Sequence, residues 1–119
     1  MELEIIEQIC FGFPNVESEI KWKSDLVFMI AKKMFCVIDL ESIPNSIAFK
    51  VPDNDFEELA STNYFKPAPY FAQHNWVTLI EPNKISKKDL QNHLQTSYEL
   101  VKAKLGKKAL RSLNENETS

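Results

Sequence analysis

The chain has 119 residues, 44% of them hydrophobic, 11% aromatic and 26% charged, with a formal net charge of −3 at pH 7. That length and balance fit one ordinary globular domain and exclude collagenous, intrinsically disordered and membrane-spanning classes. Charge is unevenly spread: eight basic residues between Lys84 and Arg111 face only Asp89 and Glu99, whereas residues 1–83 carry six lysines against thirteen acids. A basic segment can seat phosphates, but a sequence pI near 5.4 argues against a strong non-specific nucleic-acid binder.

The chain begins with Glu2, Glu4 and Glu7 where a signal peptide needs positive charge, so export is not expected and the expected address is cytoplasmic. Leu3, Ile6, Ile9 and Cys10 recur at helical spacing, which predicts a short amphipathic helix over residues 2–11, stopped by Phe13-Pro14. Glu19 to Lys23 alternates polar and apolar residues and reads as a first strand, with Ile20 and Trp22 on one face and Trp22 a lid on the core. Asp25 to Leu40 is the dominant stretch, two apolar runs broken by Lys32 and Lys33. Each run is too short for an ordinary helix and rich in β-branched and aromatic residues, which predicts a buried mid-sheet hairpin with both lysines at its solvent tip.

Ser46 to Val51 alternates again and predicts a fourth strand, with Ile47, Phe49 and Val51 facing one way. Pro52-Asp-Asn-Asp55 supplies a cap and early acids for a helix of about two turns that turns Phe56, Leu59 and Ala60 inward. Residues 64–71 are proline-broken and aromatic, a loop or edge segment, and lead into a fifth strand beginning at Trp76. Ser86-Lys-Lys-Asp89 fits a capping box, and Leu90, Leu94, Tyr98, Val101 and Leu105 form the apolar stripe of a long helix ending at Gly106. The expected organisation is one domain over residues 1–113 and a disordered tail over 114–119. The expected fold is α+β, a five-stranded antiparallel sheet covered by helices in the order α-β-β-β-β-α-β-α.

With only Gly12 and Gly106, the sequence builds neither a P-loop nor a dinucleotide fingerprint, so no nucleotide cofactor is expected. Metal-ligand spacings are missing, and a zinc site needs both cysteines and both histidines to converge. Cys36 with His74 or His93 is the one conceivable nucleophile and base, but a thiol inside an apolar strand is inert. Cys10 and Cys36 read as buried small hydrophobes, and no enzymatic activity is expected.

The hairpin Asp25-Leu-Val-Phe-Met-Ile-Ala-Lys-Lys-Met-Phe-Cys-Val-Ile38, Ser46-Ile-Ala-Phe-Lys50, the stretch Pro67-Ala-Pro-Tyr-Phe-Ala-Gln-His-Asn-Trp-Val-Thr-Leu79 and the helical Ser97-Tyr-Glu-Leu-Val101 together resemble the MmcQ/YjbR family. The likeness runs from about Ile5 to Leu110. It implies a frataxin/CyaY-like sheet covered by helices, and DNA binding through projecting loops likened to a double wing. Ala31-Lys32-Lys33-Met34-Phe35 stands where the family has Gly-Gly-Lys-Met-Phe, so Lys33 matches while the glycines do not. The family's Leu-Lys falls on Phe49-Lys50 and its signature tryptophan on Trp76, while His74 lacks the family's His-Trp adjacency.

Two functions follow. As a DNA-binding module, weak and phosphate-led, the chain would use Lys32, Lys33, Lys50 and Lys66, with Tyr70 or Trp76 stacking on a base. As a protein-interaction or small-ligand module it would use the proline-aromatic loop 64–76, with Phe65, Tyr70 or Phe71 forming a binding patch. A frataxin-like acidic metal surface is a distant third.

Overall fold

The first helix, α1, spans Leu3–Phe11, and the first strand, β1, spans Val16–Lys21. The two apolar runs follow as β2 (Asp25–Ile30) and β3 (Lys33–Asp39), and the alternating stretch as β4 (Ile47–Lys50). Helix α2 (Phe56–Ala60), the short strands β5 (Phe65–Pro67) and β6 (Trp76–Leu79), and the long helix α3 (Lys87–Ala103) complete the order. The computed structural model describes residues 2–69 and 71–111, and the backbone only of Gln73; Tyr70 and the tail 114–119 lie outside the described residues. Among the described residues no helix is long and apolar enough to cross a membrane.

The sheet is antiparallel in the order β1-β2-β3-β4-β6-β5, six strands among the described residues where the sequence suggests five. The additional strand is the proline-broken segment itself: Phe65 pairs with Leu79, Lys66 with Thr78 and Pro67 with Val77. A three-residue strand ending in proline is tolerated because it lies on the edge, where no partner requires the missing N–H.

The hairpin tip holds Ala31 and Lys32 at φ 49° and 65°. Positive φ at both central residues is the two-residue turn whose twist suits a hairpin, and here it is made without glycine. Lys32 and Lys33 are exposed there. At the other end of β2 the expected first strand stops early. Trp22 and Lys23 take φ 50° and 78°, which ends the extended backbone at Lys21 and breaks the alternation. Ile20, still within β1, is 55% exposed and Trp22, in the turn, is 58% exposed, so Trp22 is not the lid of the helix-side core.

One face of the sheet is covered by helices. Phe28, Phe35, Cys36, Ile38, Ile47 and Phe49 pack there against Ile6 and Cys10 of α1 and Leu90, Leu94 and Tyr98 of α3. Tyr98 stacks on Phe13 with 5.0 Å between centroids and donates to the Pro14 carbonyl at 2.7 Å, so α3 also fixes the segment after α1. Both cysteines are buried, and burial, then the adjacent Cys10 thiol, pushes the Cys36 thiol well above its ordinary value. The opposite face carries Val27, Met29, Val37, Ala68 and Trp76, with Met34, Ala48 and Phe71 packed beside them and, among the described residues, no α-helix over them.

A β-bulge decides which residues reach which face. Phe28 pairs with Cys36 but Met29 pairs with Met34, so Phe35 is an extra residue in β3 and both Phe35 and Cys36 turn toward the helices. On the other side of β3, Val37 pairs with Ala48 and Asp39 N–H donates to Ser46 O, so the next ladder bond in the series would join Lys50 N–H to Phe35 O. Ser97 of α3 occupies that place. Lys50 N–H donates to Ser97 Oγ at 3.0 Å, and Ser97 Oγ–H donates to Phe35 O at 2.6 Å. Ser97→Ala leaves two buried backbone groups without partners and is expected to cost about 2–3 kcal/mol in urea unfolding; a loss below about 0.5 kcal/mol would show that the hydroxyl is dispensable.

Candidate functional site

The face that α1 and α3 leave open is hollow. A cleft of about 550 Å³ lies on it, floored by Val37, Ala48 and Thr78, which sit in register on β3, β4 and β6. Its walls are Trp22 from the β1–β2 turn and Ala68, Pro69 and Phe71 from the loop after β5. Trp22 and Phe71 approach across the sheet with 6.5 Å between centroids, and Phe71 leans on Trp76 at 5.7 Å. The small side chain of Ala48 is what leaves the middle of the floor low.

Asp25 and Asp39 line one end of this cleft, directly opposite each other on β2 and β3. Asp39 is held by the turn that follows it, accepting from Glu41 N–H at 2.9 Å through Oδ1, while its carbonyl accepts from Asn45 Nδ2. Burial, and then the negative charges of Asp39 and Glu41, raise the Asp25 carboxyl above its ordinary value. Lys66, exposed on β5, lines the other end. Among the described residues no three of His, Cys, Asp and Glu are grouped as a metal ion needs.

The candidate nucleic-acid residues are not brought together. Lys66 is in register with Thr78, Ala48 and Val37, three strands from β3, which is about 14 Å across the sheet, and Lys33 lies a further 13 Å or so along β3. Lys50 is 8% exposed and its Nζ donates to the His74 carbonyl at 2.6 Å. Burial, then the charge of Lys104, lowers its pKa, with Asp53 opposing. It is a strand-end lysine tied to the loop before β6 rather than one on a projecting turn. Trp76 is 6% exposed beneath Phe71, so its ring is not available for base stacking. Tyr70 lies outside the described residues.

Asp25, Asp39 and Trp22 are the site residues that sequence reasoning passed over. The signal was present, since the apolar hairpin begins and ends on aspartate, but their meeting on one face requires the bulge.

The YjbR family model matches residues 11–100. The chain belongs to the YjbR family. Its fold is similar to that of Deinococcus radiodurans protein DR2400, described as a DUF419 domain, with a TM-score of 0.80 at 23% identity over 92% of this chain and 85% of that one. A Pseudomonas syringae protein is similar at a TM-score of 0.70 and 16% identity, over 85% of this chain and 99% of the other. No curated protein matches.

In this YjbR domain a second hollow, of about 390 Å³, lies between α2 and α3 and is lined by Lys50, Asp55, Glu58, His93 and Thr96. His93 is stacked on Phe49 at 5.3 Å and meets the edge of Phe65 at 5.9 Å. Burial lowers its pKa below the ordinary 6.5, with Asp89 and then Asp55 opposing. The unfolded chain therefore takes up this proton at a higher pH than the folded one, so His93 contributes a loss of stability as pH falls through about 6.5 toward its lowered value. His93→Gln should flatten that part of the stability profile in denaturant titrations between about pH 7 and 5; an unchanged slope would assign it to other groups.

Proposed function

We propose that this YjbR-family chain is a non-enzymatic binding module whose ligand is a small molecule seated in the open-face cleft. The observation that carries the reading is the cleft itself. Its volume falls within the roughly 300–1,000 Å³ of small-molecule sites, and its mostly apolar walls with a few charged groups at the ends are the usual composition of such sites. The loop residues singled out from composition, here Ala68, Pro69 and Phe71, supply one wall. Saturation-transfer NMR with millimolar 2-phenylethanol, a neutral aromatic probe, should show contact with the protein, and Ala48→Phe, which fills the floor, should abolish it. Contact that persists in the filled variant would place the probe elsewhere.

One observation favours a second reading, weak DNA binding: Lys32 and Lys33 stand exposed at the two-residue turn that joins β2 to β3. With Lys66 they offer three phosphate contacts, so binding to random duplex DNA should weaken with a log-log salt slope of about −3. Lys32→Glu with Lys33→Glu should then reduce binding for all sequences alike, because tip lysines position rather than read. Undetectable binding at low salt, or binding indifferent to the double reversal, would remove this reading.

A further inference from the structure

We propose that the cleft selects its ligand by charge, taking the ammonium or guanidinium end of a small organic cation between Asp25 and Asp39 while the ligand's apolar body lies against Trp22 and Phe71. The inference rests on the cleft being the binding site and adds what enters it.

Register sets the two carboxylates side by side. Asp25 and Asp39 are paired residues on neighbouring strands, so their Cα atoms are about 5 Å apart and their side chains share the open face with Val27 and Val37. The surrounding field has the same sign. Glu41 acts on Asp25, and Glu17 and Glu19 sit on the open face of β1, opposite Met29 and Val27.

Among the described residues neither the Asp25 nor the Asp39 carboxylate is in an ion pair. Lys21 pairs with Asp25 in register, yet its Nζ is 3.2 Å from Glu19 and 5.9 Å from the centre of the Trp22 ring. Lys66 is about 14 Å away across the sheet and about 7 Å further along it, beyond the screening length of about 8–10 Å at ordinary ionic strength. Two like-charged, partly buried carboxylates that are in no ion pair among the described residues are the electrostatic complement of a positive ligand group. Burial first, and then the charges of Asp39 and Glu41, raise the Asp25 pKa, so the like-charged neighbours contribute in the same direction.

Trp22 supplies the second half of the recognition. A bulky residue in the left-handed region is strained, and such strain gathers at functional positions. Here it turns an exposed indole into the wall of the cleft beside the acids, where an aromatic face attracts a cation, as it already does with Lys21. The ligand is small because Trp22 and Phe71 close across the sheet, which stops an extended polypeptide from lying through the cleft.

The test compares three probes of nearly equal size by titration calorimetry at low salt: phenethylamine, 2-phenylethanol and 3-phenylpropionate. Phenethylamine should bind roughly tenfold or more tightly than the alcohol, the usual scale of a charge-assisted hydrogen bond, and the carboxylate most weakly. Asp25→Asn with Asp39→Asn should bring the amine down to the level of the alcohol, with an unchanged cooperative urea transition showing that the variant is folded. Equal binding of amine and alcohol would overturn the charge inference and leave the cleft standing. An amine preference that survives the double asparagine variant would overturn it too, by seating the cation elsewhere. If none of the three probes binds, the cleft reading and the inference built on it fall together.

Discussion

A single serine hydroxyl stands where the central ladder of the sheet is missing a bond, beside the bulge that decides which residues reach which face. Ser97 Oγ joins Lys50 N–H to Phe35 O across the gap that the β3 bulge opens. Without the bulge, β3 would be shifted by one residue against β2 and its alternation reversed, sending Val37 and Asp39 toward the helices and Cys36 and Ile38 to the outside. The bulge therefore completes the apolar face that α1 and α3 cover, and it also sets Asp39 beside Asp25 on the face they do not cover. Core and cleft are two consequences of one extra residue, and the hydroxyl that stabilises it comes from the helix packed on top.

That constraint also accounts for the distribution of chemistry. The helix side of the sheet is filled by Phe28, Phe35, Phe49 and Tyr98, with both thiols inside it. The open side has a lower floor, aromatic walls and acids at one end. Lys50 belongs to the structural half, since its backbone N–H meets Ser97 and its ammonium holds the His74 carbonyl, so the strand end and the loop before β6 are joined by one residue. The exposed pair Lys32 and Lys33 at the hairpin tip is left far from Lys66 on the edge strand β5.

Much of this was legible in the residues. The hairpin, the inward set Ile47, Phe49 and Val51, and the stripe of α3 follow from periodicity, and Ser86 caps α3 by accepting from Asp89 N–H at 3.0 Å as its spacing implies. Short-range pattern failed where the backbone leaves ordinary conformations. Alternation placed Trp22 beside Ile20, but a left-handed turn begins at Trp22. Lys50, the last residue of β4, read as a phosphate contact, but tertiary packing of the loop before β6 buries it. The edge strand β5 is three residues long with a proline, too brief to separate from loop by composition. Ser97 looked like an ordinary polar residue on a helix, because nothing local indicates that a strand 62 residues earlier offers it a carbonyl.

The most direct test of the claim that the open face is the functional face is a ¹⁵N-¹H NMR titration of the intact chain with phenethylamine. The account predicts shifts concentrated at the amides of Asp25, Val37, Asp39 and Ala48 and at the Trp22 indole, with the amides of α3 and of the Lys32–Lys33 tip unmoved. Shifts confined to α3 or to the hairpin tip, with the Trp22 indole unchanged, would contradict it.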